Sequence, residues 1–205
     1  MRKIGIYGGT FDPVHKGHES AAAAFCRQSG LSLLYFVPTR FPPHKPPGYA
    51  DTAARLDMLR LAFDGESFAG YDIKISDIEI KRERVGYTYD TLNELRAVHP
   101  EAEFCLLIGS DMLATLESWH RFDEFCLTVD FYCAGRHADN AADARKIETL
   151  RAKYGIRIEA LDFTPLPVSS SELRAALSEA DDKAGIYLSE GVYKYIRENR
   201  LYSGC

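Results

Sequence analysis

Short apolar runs alternate along this chain with longer stretches of helical periodicity, the pattern of a parallel sheet joined by helical crossovers. The first strand is predicted at residues 3–7 and closes on Gly8-Gly9, followed by an alanine-rich helix over 17–29. A second strand at 31–37 runs into the longest irregular stretch, the proline-rich 38–48. Helical pattern resumes over 51–63, with Asp51 or Thr52 suited to cap it. Residues 71–80 alternate as a strand does, and 89–98 read as an amphipathic helix. The continuous apolar run 104–108 predicts a central strand, buried on both faces. A short helix near 113–116, a strand at 127–134, a helix at 141–154 and a strand at 157–161 follow, and 170–200 reads as two or three short helices. There is no internal repeat, low-complexity tract or linker. The expected architecture is therefore one doubly wound, Rossmann-like α/β domain over 1–205, with helices on both faces of a parallel sheet and a helical C-terminal part.

Composition adds exclusions. The 205 residues are 46% hydrophobic and 27% charged, ordinary for a chain that buries one core. A net charge of -5 is the wrong sign for a nucleic-acid footprint, although a cleft can still gather a small anion. The five cysteines are odd in number and form no C-x-x-C pair, so neither a disulfide framework nor a zinc site is expected, and a reducing cytoplasm fits. The N-terminus enters a strand without a signal-peptide pattern, and no apolar run reaches membrane-spanning length. Oligomeric state is left open.

In open α/β sheets ligands bind beyond the carboxyl ends of the strands, so the residues after each predicted strand matter most. The first is followed by Gly8-Gly9-Thr10-Phe11-Asp12-Pro13-Val14-His15-Lys16-Gly17-His18, the second by Pro42-Pro43-His44-Lys45, the third by Gly86-Tyr87-Thr88, the fourth by Gly109-Ser110-Asp111 and the fifth by Gly135-Arg136. Paired glycines let backbone approach a ligand closely. A helix opening at Gly17-His18 offers free N–H groups to a phosphate, with His15 and His18 as further donors. The string is neither G-x-x-x-x-G-K-[ST] nor G-x-G-x-x-G, which excludes the kinase-type and ordinary dinucleotide fingerprints. Taken alone, the two histidines are equally well read as surface residues beside a glycine turn.

The complete string from Gly9 to His18 resembles the signature of the nucleotidyltransferase superfamily, with its H-x-G-H element intact. Within it the chain resembles the bacterial nicotinate-nucleotide adenylyltransferases over nearly its whole length. Pro42-Pro43-His44-Lys45 is similar to that family's basic loop, and Tyr87-Thr88-Tyr89-Asp90-Thr91 to its Y-T-x-D-T segment. Ile108-Gly109-Ser110-Asp111 with Trp119 is similar to its G-x-D…W region. Val168-Ser169-Ser170-Ser171-Glu172-Leu173-Arg174 is similar to I-S-S-T-x-I-R, and Tyr195-Ile196 through Leu201-Tyr202 to the usual ending. Two departures stand out: Arg84 and Gly86 occupy the Gly and Ser of the family's R-x-G-x-S-Y-T loop, and Ser171 replaces Thr.

The resemblance implies attack of a mononucleotide 5′-phosphate on the α-phosphorus of ATP with release of pyrophosphate, nicotinate mononucleotide being the acceptor. Such transfers rest on positioning and charge stabilisation. The attacking phosphate is already an anion, so no general base is assigned. His15, His18 and Lys45 are the expected catalytic donors to the ATP phosphates, with His44 beside them on a loop, 38–48, that would act as a lid. Gly8, Gly9, Thr10 and Phe11 would line the nucleotide. Ser170, Arg174 and Arg136 would meet phosphate. Asp111, following Gly109, would accept from a ribose hydroxyl or cap the helix near Leu113. Tyr87 and Thr88 would turn backbone N–H groups to the pyridine carboxylate, and Trp119 would stack on the ring. Asp12 reads as a turn residue before Pro13, and Tyr187, Tyr193 and Tyr195 as packing. Mg2+ would bridge phosphates and water, with no metal ligands assigned on the protein. The rival readings are an adenylyltransferase for phosphopantetheine or nicotinamide mononucleotide, and a non-catalytic nucleotide-binding module.

Overall fold

The computed structural model describes residues 2–40, 50–63, 71–82, 86–135, 141–179 and 181–203. Its centre is a six-stranded sheet in the order β3-β2-β1-β4-β5-β6, parallel throughout. The strands are β1 (Arg2–Gly9), β2 (Leu33–Pro38), β3 (Asp72–Ile75), β4 (Ala102–Gly109), β5 (Asp130–Ala134) and β6 (Arg157–Ala160). Between them run α1 (Lys16–Ser29), α2 (Thr52–Phe63), α3 (Thr88–Val98), α4 (Ser110–Thr115), α5 (Phe122–Phe125) and α6 (Ala141–Tyr154). After the sheet come α7 (Ser170–Ser178) and α8 (Glu190–Glu198). No helix among the described residues is long and apolar enough to cross a membrane.

The period-2 alternation of the strands sorts their side chains into two cores. Leu34 and Phe36 of β2 and Cys105 and Leu107 of β4 point to one face, where they meet Phe25 of α1, Met58 and Leu59 of α2 and Val192 and Ile196 of α8. Leu33, Tyr35 and Val37, with Ile4, Ile6, Phe104, Leu106 and Ile108, point to the other. There they meet Leu92 and Leu95 of α3, Leu113 of α4, Phe125 of α5 and Ile147 and Leu150 of α6. Both faces being covered is why β2 and β4 read as unbroken apolar runs. Helix α1 ends at Gly30, whose φ of 66 is the left-handed conformation glycine adopts freely.

Gly5 lies in β1 on the α1 face. A Cβ there would stand 2.8 Å from Cε1 of Phe25 and closer still to Cδ1 of Leu31, so the helix packs directly on strand backbone. Gly5→Ala is expected to lower stability by about 1–3 kcal/mol, as overpacking does; urea unfolding that left the midpoint unchanged would contradict this close approach.

Two expectations need correction. The strand expected over 71–80 keeps only Asp72–Ile75. Beyond it Ser76 still donates its N–H to the Phe36 carbonyl at 2.8 Å, but the Lys81 N–H turns back to the Asp77 carbonyl at 2.9 Å, so 77–81 forms a turn. The four-residue α5 falls inside a stretch without helical periodicity and was not expected. The remaining elements lie within a few residues of their predicted bounds.

Candidate active site at the sheet switch point

Chain order reverses at β1, which has β2 on one side and β4 on the other. A crevice forms beyond such a point, at the carboxyl ends of the strands. Here those ends are Gly8-Gly9 and Gly109. Around a Cβ built on Gly8 the nearest atom among the described residues, chain neighbours aside, is the Val37 carbonyl oxygen at 4.0 Å, so there is room beside this position. At Gly9 a Cβ would touch the Phe11 ring at 3.0 Å. Phe11 has a φ of 51 and is 1% exposed, its ring edge-on to Tyr7, Phe36 and His18. What Phe11 presents to a ligand is backbone; its side chain packs the core.

The next turn is built by the two histidines. His15 is the N-cap of α1, and its Nδ1 accepts the Gly17 N–H at 3.2 Å. In return Nδ1 of His18 accepts the His15 N–H at 3.2 Å, a reciprocal box made with imidazoles where hydroxyl and carboxylate are usual. The rings lie 3.8 Å apart. An imidazole that accepts through Nδ1 carries its proton on Nε2, so both rings present Nε2–H donors at the positive end of α1. His15 is buried and His18 half-buried. The sequence placed the helix start at Gly17; the cap moves it to Lys16, whose ammonium bonds the Ile186 carbonyl at 2.8 Å.

The carbonyls of this loop are held from distant elements. Arg55 of α2 donates through one nitrogen to the Thr10 and Thr39 carbonyls, both at 2.8 Å. Arg174 of α7 donates to the Asp12 carbonyl at 2.6 Å and Ser170 to the Pro13 carbonyl at 3.0 Å. Asp12 itself is 1% exposed; its Oδ1 accepts the Ala50 N–H at 3.3 Å and the Tyr202 hydroxyl at 2.6 Å. The turn reading of Asp12 is thus too weak: it is a buried acceptor that ties three segments together. Arg55, 4% exposed, has its pKa lowered by burial, opposed by the nearby Asp12. Arg55 was not singled out from sequence, and Tyr202 only as part of the C-terminal ending that resembles the family's. Arg174 and Ser170 do reach the motif, through its backbone.

At the end of β4, Asp111 lies in the first turn of α4, which begins at Ser110 with Gly109 as N-cap. The expectation that Asp111 caps a helix near Leu113 is therefore corrected. Its carboxylate bends back to within 2.5 Å of where a Gly109 Cβ would be. Further along, Tyr87 stacks on His120 with ring centroids 4.3 Å apart, next to the half-buried Trp119. The guanidinium of Arg121 lies 4.3 Å above the Tyr89 ring. Arg40, just past β2, donates to the Ile80 and Arg82 carbonyls at 3.3 and 3.0 Å, tying the segment before Tyr87 to the same sheet edge. Beneath it lies Glu79, 6% exposed, with its pKa raised by burial and Oε1 accepting the Thr91 hydroxyl at 2.8 Å. A Cβ at Gly86 would stand 2.6 Å from the other Glu79 oxygen, which gives the departure at Gly86 a physical reason. His44, Lys45, Arg84, Arg136 and most of the expected lid lie outside the described residues.

A six-stranded parallel sheet with a histidine-capped helix at its switch point defines the class, and residues 6–176 match the family model described as Cytidylyltransferase-like. The nicotinate-nucleotide adenylyltransferase of Bacillus subtilis is 32% identical over 203 residues, covering 98% of this chain and 99% of its own. A probable nicotinate-nucleotide adenylyltransferase of Oceanobacillus iheyensis is 35% identical, covering 98% and 97%. In fold the chain is similar to a solved nicotinic acid mononucleotide adenylyltransferase of Plasmodium falciparum complexed with NaAD, with a TM-score of 0.78, 21% identity and 98% of each chain covered. The chain belongs, within that cytidylyltransferase-like class, to the nicotinate-nucleotide adenylyltransferase family.

Proposed function

We propose that the chain transfers the adenylyl group of ATP to nicotinate mononucleotide, forming deamido-NAD and pyrophosphate. A 5′-phosphate oxygen of the mononucleotide attacks the α-phosphorus, and the bond from that phosphorus to the oxygen bridging to the β-phosphorus breaks as pyrophosphate leaves. The observation that carries the reading is the reciprocal histidine box, which sets two imidazoles that accept through Nδ1 at the start of α1, beyond the end of β1. Fixed donors of this kind stabilise charge as it builds on transferring phosphoryl oxygens.

Gly8 and Gly9 leave room for the nucleotide, Thr10 and Phe11 line it with backbone, and Asp111 beside Gly109 receives a ribose hydroxyl. Arg174 and Ser170 hold the loop that meets the phosphates, while His44, Lys45 and Arg136 are assigned by resemblance as further phosphate donors. Among the described residues no group of three His, Cys, Asp or Glu side chains is placed to hold a metal ion, and the donor set facing the crevice is N–H groups and imidazoles. That set fits a Mg2+ ion carried on phosphate oxygens and water, which would supply charge neutralisation. The sheet and all its helices act as one unit. The four described cysteines are buried free thiols, suited to a reducing cytoplasm.

Substrate choice tests the assignment. Tyr87 and Thr88 at the start of α3 are read as presenting backbone N–H groups to the pyridine carboxylate, with Trp119 as the stacking face. A carboxylate accepts two such bonds, each strengthened by its charge. An amide sets an NH2 against one donor and leaves a buried N–H unpaired, at about 1–3 kcal/mol, a preference on the order of 5- to 150-fold for the acid. We expect kcat/KM for nicotinate mononucleotide to exceed that for its amide by this factor at saturating ATP and Mg2+. Equal values, or a preference for the amide, would refute the choice of substrate.

A further inference from the structure

We propose that Tyr202 is a positioning residue for the transfer, a latch that fixes the phosphate loop from the far end of the described chain. The contact rests on geometry. Helix α8 closes with the Leu201 N–H donating to the Ile196 carbonyl at 3.0 Å, a form of C-cap in which the chain turns sharply past the helix. Arg200 and Tyr202 then take φ values of 51 and 64. Non-glycine residues with bulky side chains rarely adopt this left-handed conformation, and where they do the surrounding structure holds them there. The result drives the Tyr202 ring into the core at 4% exposure and brings its hydroxyl 2.6 Å from Oδ1 of Asp12.

Asp12 stands between Phe11, also left-handed with a φ of 51, and the segment that leads to His15. Its carbonyl is pinned by Arg174 and its carboxylate by Tyr202 and the Ala50 N–H. Main chain and side chain of this one residue are thus fixed from α7, from the segment after α8 and from the approach to α2. Burial keeps the Tyr202 hydroxyl protonated well past the usual phenol range, so it acts as donor at all working pH. Residue 202 lies beyond residues 6–176, the stretch matched by the Cytidylyltransferase-like family model, within the C-terminal ending that resembles that of the nicotinate-nucleotide adenylyltransferases. Because the ring touches no reacting atom, its effect is on geometry. Misplacing reacting groups by an ångström costs about 10²-fold in rate, and a loop loosened at one point is expected to cost about tenfold.

The test rests on the adenylyltransferase reading but is scored separately from it. Tyr202→Phe keeps the ring and removes one hydroxyl; Tyr195→Phe removes a hydroxyl that bonds Asp57 at 3.2 Å between α8 and α2, away from the loop. With pyrophosphate release as the signal, Tyr202→Phe is expected to lower kcat about tenfold with KM for both substrates within about two-fold, and Tyr195→Phe to leave kcat unchanged. An equal fall in both variants, or a kcat for Tyr202→Phe within about two-fold of the parent, overturns the latch. If Tyr202→Phe is too unstable to assay, Asp12→Asn weakens the same contact from the other side and is expected to show the same fall; an unaltered kcat there overturns it too. A parent enzyme that ignores nicotinate mononucleotide refutes the substrate assignment alone, because the variant ratios are then read with whichever phosphate monoester it turns over.

Discussion

Replacing His18 with alanine is expected to lower kcat by roughly 10²–10³, the usual cost of removing one preorganised donor to transition-state charge. The side chain has two tasks, and the variant removes both. Its Nδ1 accepts the His15 N–H, so the α1 cap loosens, a loss of about 1 kcal/mol of stability. Its Nε2–H is the proposed catalytic contribution. The tasks separate in His18→Glu: a carboxylate at the third helical position is the common partner in a capping box, so stability is expected to recover while kcat stays low. Thermal unfolding and steady-state rates of both variants decide the matter. A folded His18→Ala enzyme with unchanged kcat would remove this residue from the reaction.

Replacing Arg55 with methionine is expected to cost about 2–4 kcal/mol of folding stability. The guanidinium is almost wholly buried and bonds the carbonyls of Thr10 and Thr39. Methionine fills similar space but leaves both carbonyls without that donor, and an unmet buried polar group costs about 1–3 kcal/mol. Relief from burying the cation offsets part of this. Two short main-chain bonds depend on this one nitrogen, joining the loop after β1 to the residue after β2. The half-buried Trp119, the sole tryptophan, supplies the signal for urea unfolding. A midpoint shift corresponding to less than about 1 kcal/mol would mean that the carbonyls find other donors.

Arg55 shows why part of the site could not be read from sequence. In a helical pattern a lone arginine looks like a solvated side chain, and its partners are backbone carbonyls, which leave no mark in residue identity. Tyr202 is hidden for a related reason: its partner Asp12 lies 190 residues away, and nothing local announces the pairing. What was legible was local or periodic. Apolar runs buried on both faces gave β2 and β4, alanine-rich sequence gave α1, amphipathic spacing gave α3 and helical pattern gave α6. The clustering of Gly8-Gly9, Gly17-His18 and Gly109-Ser110-Asp111 after strands located the switch point. The shortened β3 and the missed α5 fall where turns with mixed polarity obey neither period. The helix expected near Leu113 starts three residues earlier, at Ser110, so Asp111 lies inside it; Gly109 supplies the cap with no side chain to advertise it.

The long reach between Asp12 and Tyr202 also bears on synthesis and quality control. The H-x-G-H string is synthesised well before residue 202, and β1 and α1 can form before that residue exists. A chain that stalls or is cut between α7 and Tyr202 would carry the H-x-G-H string and the Ser169 to Arg174 segment while lacking the contact proposed to steady its phosphate loop. Closing a loop of this size is entropically costly and comes late in folding. Activity would therefore report that synthesis has passed Tyr202 in a way that nucleotide binding at the start of α1 would not.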